Sequence, residues 1–275
     1  MKKIHLPGAA AFFEVIAFVL EAFDIAGIAA EGEDLDIFLE EEMLEDKNFS
    51  ASFREIEKLL DKPHCIEEVP DQNWNVLWES NFEPITLGRE IRIRAGFHQP
   101  DPHFTHEIII NPMMSFGTGH HATTRQMLSA MLRHSFEEKK VLDMGCGTGI
   151  LSVMAEKLGA TEIDAIDHDP HSFENAKENA RLNHCKHIRT YLGDDKLLTN
   201  KGYDYILANI NREVILKQLP LYRSVINDGG TLITSGYLRS DRNIIRKAAT
   251  KAGFEFVRQT EESDWLMTEF KATCR

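Results

Sequence analysis

The chain has 275 residues, a length that suits a full α/β domain together with a smaller one. Hydrophobic residues make up 43% and charged residues 27%, ordinary globular usage that excludes a disordered or collagen-like chain. The net charge of −13 excludes a protein that neutralises nucleic-acid phosphates over its whole surface, while leaving room for a local basic groove.

The charge is unevenly spread. Residues 1–80 hold 6 basic and 19 acidic side chains, whereas residues 81–275 hold 25 of each, so the whole excess lies at the start. Such a face either aids solubility or attracts a basic partner in a salt-sensitive way. Lys2 and Lys3 precede an apolar stretch, Ile4 to Leu20, that Glu14 interrupts and Glu21 and Asp24 follow. Neither a signal core nor a span of about 20 apolar residues is present, and an amphipathic helix is expected instead. Phe12, Val15, Ile16, Val19, Leu20 and Phe23 recur at helical spacing, which predicts a helix over residues 9–23 with one face in a core. Gly27 and Gly32 break that pattern. Strands are expected at Asp36–Leu39 and Cys65–Val69, with a helix from Ser52 to Leu60 started by Ser50 or Ser52. These elements predict a small acidic α+β domain over residues 1–69. Trp74 and Trp78, four residues apart, share one face of a linker helix expected over residues 70–84.

From Ile85 to Pro112 the chain alternates as strands do, at Ile91 and Ile93 and then Ile108 to Ile110, with Pro100 and Pro102 in a loop between. Short apolar runs follow at Lys140–Asp143, Glu162–Asp167, Arg189–Leu192, Tyr203–Ile210 and Thr231–Ser235, separated by helical stretches. That rhythm predicts a parallel sheet with crossover helices. Residues 254–259 and 265–272 are expected to pair antiparallel. Cys65, Cys146, Cys185 and Cys274 are scattered, which suits neither a disulfide framework nor a zinc ribbon and points to a reducing cytoplasm. Among twelve histidines, the groupings His103 with His106, His168 with His171, and His184 with Cys185 and His187 form no four-ligand metal spacing, so no metal is expected.

The segment Val141 to Leu151 places Gly145, Gly147 and Gly149 between an apolar run and a helix, a strand, tight turn and helix that lets a ligand approach the backbone. A dinucleotide fingerprint needs glycine at position 150, where this chain has Ile150, which disfavours NAD. Asp167 ends the next apolar run 22 residues after Gly145, where a carboxylate can accept from both ribose hydroxyls; a cap is its structural alternative. Asp169, before Pro170, is a helix cap.

The turn Asp143 to Gly149, followed by an acid closing the second strand, resembles class I S-adenosylmethionine-dependent methyltransferases. NPMMSFGTGHHATT at Asn111 to Thr124 and ILANIN at Ile206 to Asn211 are similar, more narrowly, to the family that methylates ribosomal protein L11 of the large subunit. The match runs from about Asn111 to Phe270, is supported by the paired tryptophans, and departs from the family pattern at Asn111 and over the first 69 residues. It implies an α/β fold: a Rossmann-like, seven-stranded mostly parallel sheet over residues 85–275, preceded by a small ferredoxin-like α+β domain. It implies that Thr124, Gly145, Gly147, Asp167 and Asn209 contact S-adenosylmethionine, with Phe116, Gly117, Thr118 and Gly119 looping over its methionine end. Asp194, after the third strand, is a candidate for the adenine amino group, with capping as its alternative.

Methyl transfer from a sulfonium is an in-line displacement that needs alignment more than a strong acid or base. An amine acceptor must be uncharged, although a free lysine with a pKa of about 10.4 is protonated at neutral pH. Asn209 is the candidate catalytic residue, its carbonyl accepting from the amine, with strand termination as the plainer role; Asn211 and Arg212 are weaker candidates. Enzymes that modify glutamine or adenine resemble one another in an Asn-Pro-Pro-aromatic motif, and Asn209, Ile210, Asn211 and Arg212 stand here instead. The expected activity is methylation of a basic ribosomal protein on lysine side chains or its α-amino group. The acidic module recruits that protein, and the chain acts as a monomer with no nucleic acid or membrane required. A small-amine N-methyltransferase and a non-catalytic S-adenosylmethionine-binding sensor or assembly module are the alternatives.

Overall fold

The computed structural model describes residues 2–12, 16, 19–20, 23, 25, 27–58, 60, 62–68, 83–111, 117–199 and 202–274. The chain divides into two compact units, Met1–Asn81 and Phe82–Arg275. The expected linker helix over residues 70–84 falls almost wholly outside the described residues.

In the first unit, β1 (Lys2–Leu6), β2 (Gly27–Glu31), β3 (Asp34–Leu39) and β4 (Cys65–Glu68) form an antiparallel sheet in the order β2-β3-β1-β4. Alternation decides the buried face: Ile4 and Leu6 of β1 and Leu35, Ile37 and Leu39 of β3 are buried, while His5, Asp36 and Phe38 between them are only partly so. Against this face pack Ile16, Leu20 and the helix α1 (Lys47–Glu57), through Phe49, Phe53 and Ile56. Three expectations are corrected here. The chain start is strand rather than helix, because Lys2 to Leu6 alternates with period two. Ala10–Phe12 is a single 3-10 turn that leaves Phe12 exposed instead of on a buried helix face, while Gly27, read as a break in the helical pattern, opens β2 as such a break allows. Helix α1 begins at Lys47, not near Ser52, because the Asp46 carboxylate accepts from the backbone N–H groups of Asn48 and Phe49 at 2.7 and 2.9 Å.

The second unit opens with a three-stranded sheet, β5 (Ile85–Leu87), β6 (Ile91–Arg94) and β7 (His106–Ile109), antiparallel then parallel. Helix α2 (Ala122–Met131) leads into the main sheet, which alternates β8 (Lys140–Met144), α3 (Ile150–Lys157), β9 (Glu162–Asp167), α4 (Pro170–Leu182), β10 (Ile188–Leu192), β11 (Tyr203–Asn209), α5 (Arg212–Val225), β12 (Ile226–Leu238) and α6 (Arg242–Lys251). The chain finishes with the hairpin β13 (Phe254–Glu262) and β14 (Trp265–Ala272). Strand order is β10-β9-β8-β11-β12-β14-β13, with β14 antiparallel to both of its neighbours and every other pair parallel.

Helices cover both faces, which is why the central strands read as continuous apolar runs. Val141, Ile163, Leu207 and Ile233 pack on one side with Met127, Met131, Val153 and Met154. Leu142, Ile206, Leu232 and Phe270 pack on the other with Ile215, Leu219, Tyr222 and Ile245. The sheet order reverses at β8, whose neighbours β9 and β11 lie on opposite sides, and a crevice forms at the carboxyl ends of the strands at such a switch point.

Candidate active site

A cleft of about 650 Å³ opens along that edge of the sheet. Strand order dictates what lines it: Gly193 and Asp194 after β10, Asp167 at the tip of β9, Gly145 after β8, Asn209 at the tip of β11, Gly236 in β12 and Trp265 at the start of β14. Carboxylates therefore sit on the β9–β10 side, and an amide and an indole on the β11–β14 side. Between the tips of β9 and β11 lie two strand spacings, roughly 10 Å.

The glycine turn is built by backbone bonds. Gly145 and Cys146 donate to the Ile166 carbonyl at 2.8 and 3.1 Å, and Gly147 donates to Asp167 Oδ2 at 2.9 Å. Gly145 has φ +69°, and a Cβ there would stand 2.3 Å from Ile210 Cγ2, so only glycine fits. Asp143, behind the turn, is buried; its Oδ2 accepts from Ser152 N and Oγ at 3.0 and 2.6 Å, while Oδ1 has no partner among the described residues. Burial pushes its pKa up to about 7, the neighbouring Asp167 adds to the rise, and the Ser152 bonds oppose it.

Asp167 is buried in the cleft wall. Its Oδ1 accepts from the Asp169 N–H at 3.0 Å, with His168 Nδ1 3.5 Å away, and its Oδ2 accepts from Gly147, which fixes the carboxylate and leaves Oδ2 a lone pair. Asp169 caps α4, accepting from His171 N and Ser172 N, as its place before Pro170 predicted. Asp194 lines the cleft and also caps the turn Asp195–Leu197. The Lys196 backbone N–H at 3.0 Å, followed by the Lys196 side chain, holds its carboxyl below the usual range.

Asn209 lies on the other side of the turn. Its Nδ2 donates to Thr124 Oγ1 at 3.4 Å, and its Oδ1 is buried without a partner among the described residues. Thr124, in the first turn of α2, is fully buried behind Asn209 rather than on the cleft surface. Asn211 caps α5 through Val214 N at 3.0 Å, and Arg212 is paired with Asp241 at 2.7 Å and with Glu213. Gly117 is bonded through its carbonyl to Thr148 Oγ1 at 2.7 Å, and Thr118 Oγ1 meets His120 Nδ1 at 3.1 Å. Gly119 packs against Ile93. Phe116 lies outside the described residues.

Sequence reasoning missed His121, Ile210, Gly236 and Trp265, all on the cleft. His121 caps α2, its Nδ1 meeting Thr123 Oγ1 at 2.8 Å, and its ring stands edge-on to Trp265 at 4.7 Å. A glycine within the apolar run from Thr231 signals close backbone approach, and that cue identifies Gly236. Trp265 offered no local cue, because its place depends on the antiparallel insertion of β14.

The strand order, the glycine turn ending its first strand and the acid ending its second define a class I methyltransferase. The family described as ribosomal protein L11 methyltransferase (PrmA) matches residues 15–273, and the chain belongs to it. A ribosomal protein L11 methyltransferase of Phocaeicola vulgatus is 43% identical over 209 residues, covering 75% of this chain and 74% of the relative. One from Chlorobaculum parvum is 34% identical over 272 residues, 92% of this chain and 93% of the relative. The crystal structure of a ribosomal protein L11 methylase from Lactobacillus delbrueckii subsp. bulgaricus superposes with a TM-score of 0.65 at 28% identity. That superposition covers 70% of this chain and all of the other.

Proposed function

We propose that the chain transfers methyl groups from S-adenosylmethionine to amines of ribosomal protein L11, on lysine side chains or the α-amino group. The observation that carries this reading is Asn209, which lines the cleft and whose buried carbonyl oxygen has no partner among the described residues, while its NH2 is engaged by Thr124. A buried acceptor without a donor costs on the order of 1–3 kcal/mol, and an incoming N–H removes that cost.

The residues of the cleft fit the cofactor. Asp167 keeps acceptor capacity suited to ribose hydroxyls, Gly145 leaves no room for a side chain, and Asp194 is an ionised acceptor beside Gly193. Gly147, on the cleft, would approach it through the backbone, and the family resemblance assigns its methionine end to Gly117, Thr118 and Gly119, which lie outside the cleft lining. When bound, the cofactor supplies an electrophilic methyl group on a sulfonium. The chain's part is to orient the amine and keep it uncharged. Asn209 is a neutral acceptor that fixes the N–H direction without adding a charge that would hold an ammonium, and the Trp265 and His121 rings withdraw the amine from water. The acidic segment 1–69 supports recruitment of a basic protein by long-range attraction, with residues 70–84 joining it to the transferase domain.

The test is transfer of labelled methyl from S-adenosylmethionine to undermethylated L11 by the intact chain, at two ionic strengths. Label on L11 amines, with KM for L11 rising with salt, is expected. Label on free small amines with L11 ignored would replace this reading with a metabolite enzyme, and cofactor binding with no transfer would replace it with a sensor.

A further inference from the structure

Helix α4 carries three asparagines at intervals of four residues, Asn175, Asn179 and Asn183, the last at its C-cap. The spacing puts them on one helical face. Asn183 engages Ile109 with both ends of its amide: Oδ1 accepts from Ile109 N at 2.9 Å, and Nδ2 donates to Ile109 O at 2.6 Å. It thereby serves the strand edge of β7 as a neighbouring strand would.

Asn179 is fully buried and uses its whole amide. Its Oδ1 accepts from Asn111 N at 2.7 Å, and its Nδ2 donates to Thr148 O at 2.9 Å and Asn175 Oδ1 at 2.8 Å. Thr148 in turn donates its hydroxyl to Gly117 O at 2.7 Å. One connected set of hydrogen bonds thus runs from Asn111 through Asn179 and Thr148, inside the glycine turn, to Gly117. None of Asn111, Gly117, Thr148, Asn175 and Asn179 lines the cleft, whereas Gly147, the chain neighbour of Thr148, does. We infer that Asn179 and Thr148 are positioning residues: they clamp Asn111 and Gly117 against the glycine turn, so that affinity for the methyl donor is set by a polar network outside the binding surface. The physical reason is preorganisation. Loop residues that bind a ligand lose less conformational entropy on binding when they are already fixed. This rests on the proposed cofactor site at Gly117–Gly119 and Gly145.

The distinguishing experiment uses the full chain and direct calorimetric binding of S-adenosylmethionine, together with steady-state kinetics and amide hydrogen exchange. Thr148→Val removes the hydroxyl without changing side-chain size, and Thr148→Ser restores it. T148V is expected to raise Kd about tenfold, the loss of one hydrogen bond's worth of ordering, with kcat at saturating cofactor within about twofold and T148S close to wild type. Asn179→Asp keeps the acceptor for Asn111 N and loses both donors, so Kd rises while the Asn111 amide stays protected from exchange. Asn179→Ala exposes that amide as well. Unchanged affinity in T148V, or failure of T148S to restore it, overturns the inference while leaving the site reading standing. A wild-type chain that does not bind the cofactor overturns both.

Discussion

A Cβ on Gly236 would stand 2.3 Å from the carbonyl oxygen of Ile210 and 3.0 Å from its nitrogen, so β12 passes directly against the backbone that follows Asn209. Gly145 makes a second such approach from β8, against the Ile210 side chain. Ile210 also donates its N–H to Ser235 O at 3.2 Å. The tip of β11 is therefore gripped by two glycines on neighbouring strands, and the direction of the Asn209 amide follows from that grip.

The two contacts differ in kind, and paired substitutions separate them. Gly236→Ala meets backbone at φ +94°, where neither partner can yield, and is expected to lower Tm by on the order of 10 °C and to abolish transfer. Gly145→Ala meets a methyl group, so adding Ile210→Ala should recover cofactor affinity in part, with a coupling of about 0.5–3 kcal/mol. The same second change should recover nothing for G236A. Thermal melts and calorimetry of the four variants decide it, and equal rescue of both glycine variants would refute the assignment.

Asn209→Ala should lower kcat about 10²-fold with cofactor Kd changed far less, because it removes the acceptor that aligns the amine. Thr124→Val takes away the oxygen that Asn209 Nδ2 faces and frees the amide to turn, so a kcat loss of roughly tenfold is expected, with Thr124→Ser restoring it. Single-turnover transfer to L11 measures both. A T124V rate equal to wild type would mean that Thr124 does not orient the amide.

The legible parts of this protein were the local ones. Val141 to Leu151 announced strand, turn and helix within eleven residues, and Asp169 before Pro170 announced a cap, because both depend on neighbouring backbone alone. Asp167 stood out as an acid closing an apolar run. The strand at Lys2–Leu6 was hidden because five residues of period two are outweighed by a longer helical stripe beginning nearby. Trp265 reaches the cleft through strand order, with β14 inserted between β12 and β13, and no window of sequence carries that information. The asparagines of α4 read as ordinary helix polar residues, since their partners at Ile109, Asn111 and Thr148 are 31 to 74 positions away.

Asp167→Asn turns an acceptor-only group into one whose NH2 must face either Gly147 N or Asp169 N, both donors. One hydrogen bond becomes a clash of like partners, and the charge that strengthens bonds to ribose hydroxyls is lost. Cofactor Kd should rise about 10- to 100-fold, the scale of a hydrogen bond to a charged group. Calorimetry with S-adenosylhomocysteine reads this without turnover, and a Kd within twofold of wild type would remove Asp167 from the cofactor site.

Asp143 makes the stability of the transferase unit depend on pH in a direction opposite to most carboxylates. Burial raises its pKa in the folded chain to about 7, against an ordinary value of 3.8, so the native state binds the proton more tightly than the unfolded one. The stability this confers is complete below pH 3.8 and is lost as pH rises towards 7, above which the buried carboxylate is charged and, among the described residues, bonded by Ser152 alone. The Asp143→Asn substitution mimics the protonated acid: one oxygen to accept from Ser152 and one donor where Oδ1 stands. Stability of that variant should be flat over the same window and should exceed wild type near pH 8 by a few kcal/mol, on the order of three pKa units. Denaturant unfolding of the two proteins from pH 4 to pH 8 measures the difference. Parallel curves would show that Asp143 is ionised in the native state throughout, with a counter-charge at its free oxygen.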